Sequence, residues 1–215
     1  MTYLELVNSV LRRLRESEVD NVAENTYSVL IGDFINDAKQ LVEDSHSWSA
    51  LRTAIEFDTV SGTSVYALTG AGQDVEIREA LNTTGKTQMY TRNRSYMNNH
   101  YRMNTPLSSS PSEFAFNGTD DNGDITVQLY PQPDAIYSIY FDSFVRQADL
   151  AADATRLKVP YNPVLQLALG MALRERGETG GQTALEQFAI ADASLADAVA
   201  FDANKYEEDT TFVVV

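Results

Sequence analysis

The sequence predicts an α+β fold: a four-helix bundle carrying an inserted antiparallel β-sandwich-like domain and ending in an extended C-terminal tail. Three observations predict it. Apolar residues recur at three- and four-residue steps from Tyr3 to Trp48 and again after Tyr161, which is the helical period. Between Thr53 and Gln147 the period shifts toward two, with turn residues at short intervals. Thr210–Val215 (TTFVVV) is uncharged and β-prone at the very end. The implied boundaries are 1–52 and 151–202 for the two halves of the bundle, 53–150 for the β domain, and 203–215 for the tail.

The first helix covers Tyr3 to Glu16, with Thr2 and Glu5 as a T-x-x-E capping box and Tyr3, Val7, Val10, Leu11 and Leu14 as its apolar stripe. The second runs from Thr26 toward Trp48, with Asn21 and Glu24 upstream as a candidate capping box. Tyr27, Leu30, Ile31, Phe34, Ala38, Leu41 and Val42 form its expected buried face. Ser28, Asp33, Asn36, Lys39, Gln40, Glu43 and Asp44 form the expected solvent face.

In the β region Ile55 and Phe57 alternate with Glu56 and Asp58, and strands follow near Ser64–Thr69, Val75–Ala80 and Lys86–Thr91. Phe114–Asn117 and Ile125–Tyr130 flank an Asn122–Gly123 hairpin turn, and Ala135–Val145 is the longest strand. Six to eight antiparallel strands are expected. Asn162 and Pro163 read as the cap and first residue of the third helix, with Leu165, Ala168, Leu169 and Ala172 inward and Gly177 at its end. Gly180–Gly181 turns the chain into a last helix, Gln182 to Asp202. Leu185, Phe188, Ala191, Leu195 and Val199 read as its inner face, and Glu186, Asp192, Asp197 and Asp202 as its outer one.

Composition excludes several functions. With no cysteine, disulfides, thiol nucleophiles and cysteine-ligated metals are ruled out. A net charge of −15 argues against a dedicated nucleic-acid binder. No membrane-spanning run or signal peptide is read, so a protein made in a reducing cytoplasm is expected. Catalytic, metal and cofactor sites are all expected to be absent. The two histidines, His46 and His100, join no triad or ligand set. The Asp120–Asp124 run fails the calcium-loop pattern, with Ile125 where glycine is needed and Pro131 where glutamate is needed.

Two stretches stand out as candidate docking sites. Residues 80–112 hold no Asp or Glu, yet carry Lys86, Tyr90, Arg92, Arg94, Tyr96, His100, Tyr101 and Arg102. Tyr and Arg are the residues enriched at protein-docking hot spots, and the same pairing also suits stacking on nucleic acid. The tail residues Thr210, Thr211, Phe212, Val213, Val214 and Val215 form a strand in search of an edge, in this chain or in a partner.

Three segments carry a resemblance: IGDFINDAKQLVEDSHSWSAL, ITVQLYPQPDAIYSIYFDSFVRQADL and VPYNPVLQLALGMALRER. Together they resemble the head–tail adaptor proteins of tailed bacteriophages, particularly the short-tailed ones, also called connectors or tail tubular protein A. The match is one of core and turn residues in order, here Leu129-Tyr130-Pro131, Ala135–Arg146 and Pro160–Arg176. It implies a structural, non-enzymatic virion protein at the head–tail junction, assembled in the host cytoplasm. Implied partners are the portal protein, the tail nozzle protein and further copies of the chain in a ring, usually dodecameric. Viral DNA would pass through the lumen without sequence-specific binding, and no membrane is involved. The tail residues are the positions implied to dock on the portal. Two other readings are a carbohydrate-binding or depolymerising tail component and a head-completion stopper that plugs the channel.

Overall fold

The computed structural model describes residues 1–177 and 182–205. The expected Gly180–Gly181 turn and the Thr210–Val215 tail lie outside the described residues. The chain divides into two compact units. One joins Met1–Ala50 to the described residues from Gln147 onward; the other is Leu51–Arg146.

The helical unit contains α1 (Tyr3–Arg13), α2 (Thr26–Ser45), α4 (Tyr161–Glu175) and α5 (Gln182–Ala203). α4 packs against α1, α2 and α5, and α1 packs against α2. α1 starts as its sequence dictates. Glu5 N donates to Thr2 Oγ1 at 3.3 Å, and Thr2 N donates to Glu5 Oε2 at 2.9 Å. The five expected stripe residues are all buried. The helix stops at Arg13, earlier than Glu16. Arg15 turns left-handed (φ 60°), so that its N–H reaches Arg12 O and that of Glu16 reaches Leu11 O.

α2 begins one residue after a cap that the sequence reading misplaced. Asn25, not Asn21, is the N-cap: Ser28 N donates to Asn25 Oδ1 at 2.8 Å, and Asn25 N donates to Ser28 Oγ at 3.2 Å. Asn21 and Glu24 instead shape the turn before it, where Asp20 N donates to the Glu24 carboxylate. The buried face is also rotated from expectation. Ser28, Ile31, Gly32, Ile35, Ala38, Lys39, Val42 and Glu43 are buried, whereas Leu41 is exposed and Tyr27, Leu30 and Phe34 are half-buried.

The cause is the segment returning from the β unit, which runs along α2. Its carbonyls are partly withdrawn from water and take donors from the helix. Lys39 Nζ supplies them, donating to Gln147 O at 2.6 Å and Ala148 O at 3.4 Å. Asn36 exchanges two hydrogen bonds with the backbone of Leu150. The ammonium is balanced by Glu43 Oε2 at 3.6 Å and Asp149 Oδ1 at 3.5 Å. What reads as a solvent stripe is a polar seam. The same segment then bonds the start of α1, with Tyr3 N on Thr155 O and Leu4 N on Asp153 O.

α4 starts at Tyr161, with Pro160 at the cap position, so Asn162 is not the cap. Pro163 falls in the first turn, where its missing N–H costs nothing. Asn162 instead donates to Ser194 Oγ on α5 at 2.6 Å. The four expected inner residues of α4 are buried, and Gly177 (φ 64°) closes the helix. On α5 the expected inner residue Ala191 is buried and Phe188, Leu195 and Val199 are half-buried, while Ala184 and Asp202 are buried as well. Leu185, expected inside, is 68% exposed; Asp202, expected outside, is 3% exposed. Asp202 accepts from Ser49 N (2.8 Å), Ser49 Oγ (2.6 Å) and Lys205 Nζ (2.8 Å), which binds the end of α5 to the residues beyond α2. Trp48, fully buried nearby in sequence, donates from Nε1 to Val42 O at 2.7 Å.

The second unit is a sandwich of two four-stranded sheets. Its strands are β1 (Arg52–Asp58), β2 (Val65–Ala67), β3 (Glu76–Asn82), β4 (Thr87–Gln88), β5 (Tyr90–Thr91), β6 (Glu113–Thr119), β7 (Ile125–Tyr130) and β8 (Ser138–Phe144). The sheets run β1-β8-β3-β4 and β2-β7-β6-β5, antiparallel except for the β5–β6 pair. Ala80, Phe114, Val127, Leu129, Ile139 and Phe141 meet between them. Phe114 and Phe141 pack edge to face at 5.1 Å.

The single strand expected over Lys86–Thr91 is divided. Thr87–Gln88 pairs with β3 in one sheet, Tyr90–Thr91 pairs with β6 in the other, and Met89 between them is buried in the core. The chain changes sheets between two edge strands, and Met89 turns its side chain into the core as it crosses. The β6–β7 turn follows its sequence signal. Gly123 adopts φ 86°, and Asp120 Oδ1 accepts from the backbone of Asn122 and Asp124.

Candidate docking surface

The acid-free span 80–112 is an ordered lobe on the β unit. It is stapled at both ends. Asn82, almost fully buried, donates to Ser110 Oγ (2.9 Å) and Pro111 O (3.0 Å) and accepts from Gly85 N (2.7 Å). On the return, Ser109 N donates to Gln132 O and Gln132 N donates to Leu107 O, which joins the span to the chain beyond β7.

Between the staples lie a one-turn helix, α3 (Arg94–Asn98), and a π-helical turn (Asn99–Met103). Asn93 caps α3 by accepting from Tyr96 N at 2.8 Å. Met97, 1% exposed, anchors the turn from below.

Tyr96, His100 and Tyr130 form a stack, with ring centroids 4.4 Å apart at each step. Tyr101 meets Tyr130 edge-on and donates from its hydroxyl to Leu129 O at 2.6 Å. Burial pushes the Tyr101 phenol up to about 12, so it remains a neutral donor. Arg92 lies 5.3 Å over the Tyr96 ring and donates from Nε to Glu113 at 2.8 Å. A hydrogen bond to the Glu113 carboxylate also raises the Tyr96 phenol.

The candidate residues therefore divide. Tyr101 points inward. Tyr96 and His100 form the stack, Arg92 is neutralised by Glu113, and Arg94 donates to Asn117 O while remaining exposed. Lys86, Tyr90 and Arg102 face solvent. Two further exposed residues belong to this surface: Met103 at 80% and Leu107 at 56%. An isolated methionine or leucine carries no sequence signal of exposure, so only packing reveals them. Tyr96, Asn98, Asn99, Arg102 and Met103 help to wall an open groove of about 630 Å³. The tail candidates Thr210–Val215 lie outside the described residues.

The groove offers one cation, several amides, an aromatic wall and a thioether. It lacks a nucleophile–base pair, and among the described residues no group of three or more His, Asp or Glu is placed to hold a metal ion. Asp124, whose carboxyl is held low by the N–H groups of Gly70 and Gly72, is taken up by the loop that follows β2. Among the described residues, no helix is long and apolar enough to cross a membrane.

The SU10 adaptor protein family model matches residues 1–211, and the chain belongs to that family. It is a phage structural adaptor protein, a virion component of a structural rather than enzymatic class. A comparison with curated proteins finds no match.

Proposed function

We propose that the chain is the head–tail adaptor of a short-tailed phage. Copies form a ring between the portal and the tail nozzle, extend the DNA channel and present the platform on which the tail is built. The observation that carries this reading is the family match, which runs through the helical unit, the β unit and into the tail. The helical unit docks to the portal, and the tail residues Thr210–Val215 are the positions that bind it. The β unit, with its basic-aromatic lobe, meets neighbours or the nozzle. DNA passes an acidic protein of net charge −15 without being held. Capture of the tail by the portal makes ring formation depend on the template.

The test is co-sedimentation with the cognate portal ring, comparing the full chain with one truncated after Lys205. This boundary preserves the Lys205–Asp202 contact. Stoichiometric binding by the full chain alone supports the adaptor reading and assigns portal contact to the tail. Binding by both moves the contact to the helices. Binding by neither overturns the adaptor reading.

A further inference from the structure

The 80–112 lobe is acid-free and holds Lys86, Arg92, Arg94 and Arg102, in a chain whose remainder is strongly acidic. Its open groove combines Arg102 with the exposed Met103 and the Tyr96 ring, so it suits a partner that is both acidic and apolar.

The chain carries such a surface on its other unit. Val29, Asp33, Asp37 and Leu41 follow one another at four-residue steps along α2, on a single face. All four are exposed, Val29 at 41% and Leu41 at 52%. Leu30 and Phe34, half-buried, flank them. A 20-residue helix has thus left a ladder of apolar and acidic side chains in solvent while burying Lys39 and Glu43. An amphipathic helix laid in a groove is a recurring mode of recognition.

We propose that the basic-aromatic groove of one copy docks on the Val29–Asp33–Asp37–Leu41 ladder of a second copy. Arg102 and Arg94 face Asp33 and Asp37, and Met103 and Tyr96 cover Val29 and Leu41. Complementary charge and matching apolar exposure meet on these two surfaces of the same chain. The surfaces differ, so the contact is heterologous: each copy offers one groove and one ladder, and repetition gives a ring or a filament. The inference rests on the ring-forming adaptor reading for its setting, and supplies the contact between neighbours. Like-charge juxtaposition is costly at such an interface, which makes it breakable by charge reversal.

The absence of cysteine makes the test clean. Asp37→Cys and Arg102→Cys are placed in separate copies, mixed with the cognate portal ring and oxidised. The disulfide-linked pair is expected at ten or more times the yield given by either variant alone. In parallel, Asp33→Lys/Asp37→Lys is made in one copy and Arg94→Glu/Arg102→Glu in another, each checked for wild-type thermal unfolding. Each is expected to lose the contact alone. Their one-to-one mixture should regain it, because alternating copies restore both charge pairings. Portal binding without the cross-link, or a mixture that fails to recover, overturns this contact and leaves the adaptor reading standing. A cross-link without portal binding does the reverse. Duplex DNA captured by the lobe and lost on Arg94→Glu/Arg102→Glu, with no cross-link, assigns the groove to nucleic acid and also overturns the proposal.

Discussion

In the β unit Ile139 and Phe141 are fully buried, as the alternation of that strand requires; in α2 Lys39 and Glu43 are buried although their pattern assigns them to solvent. Both patterns are clear in the sequence. They differ in what decides the outcome. A sandwich strand has two faces fixed by its own period, however far away in sequence the strands that cover them lie. A helix has a continuous circumference, and the arc that is buried depends on everything packed around it. For α2 that includes a linker more than a hundred residues away, whose carbonyls bring Lys39 inside. The lesson is that distant polar demands rotated this helix, and displaced apolar side chains paid for it with exposure.

The sharpest way to break that comparison is Lys39→Ala. Removing one partner of a buried pair leaves Glu43 buried without its cation and the Gln147 and Ala148 carbonyls without a donor. A loss of about 3–5 kcal/mol is expected in urea unfolding. Glu56→Ala, on the exposed face of β1, is expected to stay within about 0.5 kcal/mol. If Lys39→Ala costs no more than Glu56→Ala, the seam is decoration and the rotation of α2 needs another cause.

Much of the fold was legible for the same reason that the β unit behaved. Capping at Thr2, the Gly123 turn and the strands around it, and the inner face of α4 are all written in neighbouring residues. The cap at Asn25 and the early end of α1 are local departures, but other misplaced features depend on their packing. Asp202 is drawn in by Ser49, and Met89 by a change of sheet. At the candidate surface, the basic-aromatic composition singled out the right span. Which of its residues face solvent was decided by Glu113, Leu129 and Tyr130, residues outside it.

Asp202 gives a second, pH-dependent version of the test. Burial works to raise its carboxyl, but the bonds from Lys205 and Ser49 outweigh that and hold it below the ordinary 3.8. Because folding lowers this pKa, the contribution is complete above the unfolded value and fades as pH falls through the folded one. Asp202→Asn is expected to cost about 1.5–3 kcal/mol at neutral pH. The gap between variant and wild type should close as unfolding is followed below pH 3.8. A constant gap across that range would show that shape, not charge, holds α5 to Ser49.

Close packing sharpens the comparison from the apolar side. A Cβ at Gly32 would sit 2.2 Å from the Tyr3 hydroxyl, with Val22 at 3.1 Å. Gly32→Ala is expected to lose about 1–3 kcal/mol through overpacking between α1 and α2. Tyr3→Phe in the same chain should recover part of it, measurable as a coupling in a double-mutant cycle. Full additivity would mean that the two helices separate instead of yielding at the hydroxyl.

The smallest expected effect belongs to the feature easiest to read. Thr2→Ala removes the acceptor for Glu5 N and leaves the reciprocal bond from Thr2 N to Glu5 in place. A loss of about 1 kcal/mol is expected from thermal unfolding at fixed pH. Tyr3 and Leu4, by contrast, have their N–H groups on Thr155 and Asp153 of the returning segment. If that segment already fixes the start of α1, Thr2→Ala should fall at or below the lower end of the usual range for caps. A cost as large as that of Lys39→Ala would reverse the ordering, and place the energy of this unit in its local signals instead of its distant ones.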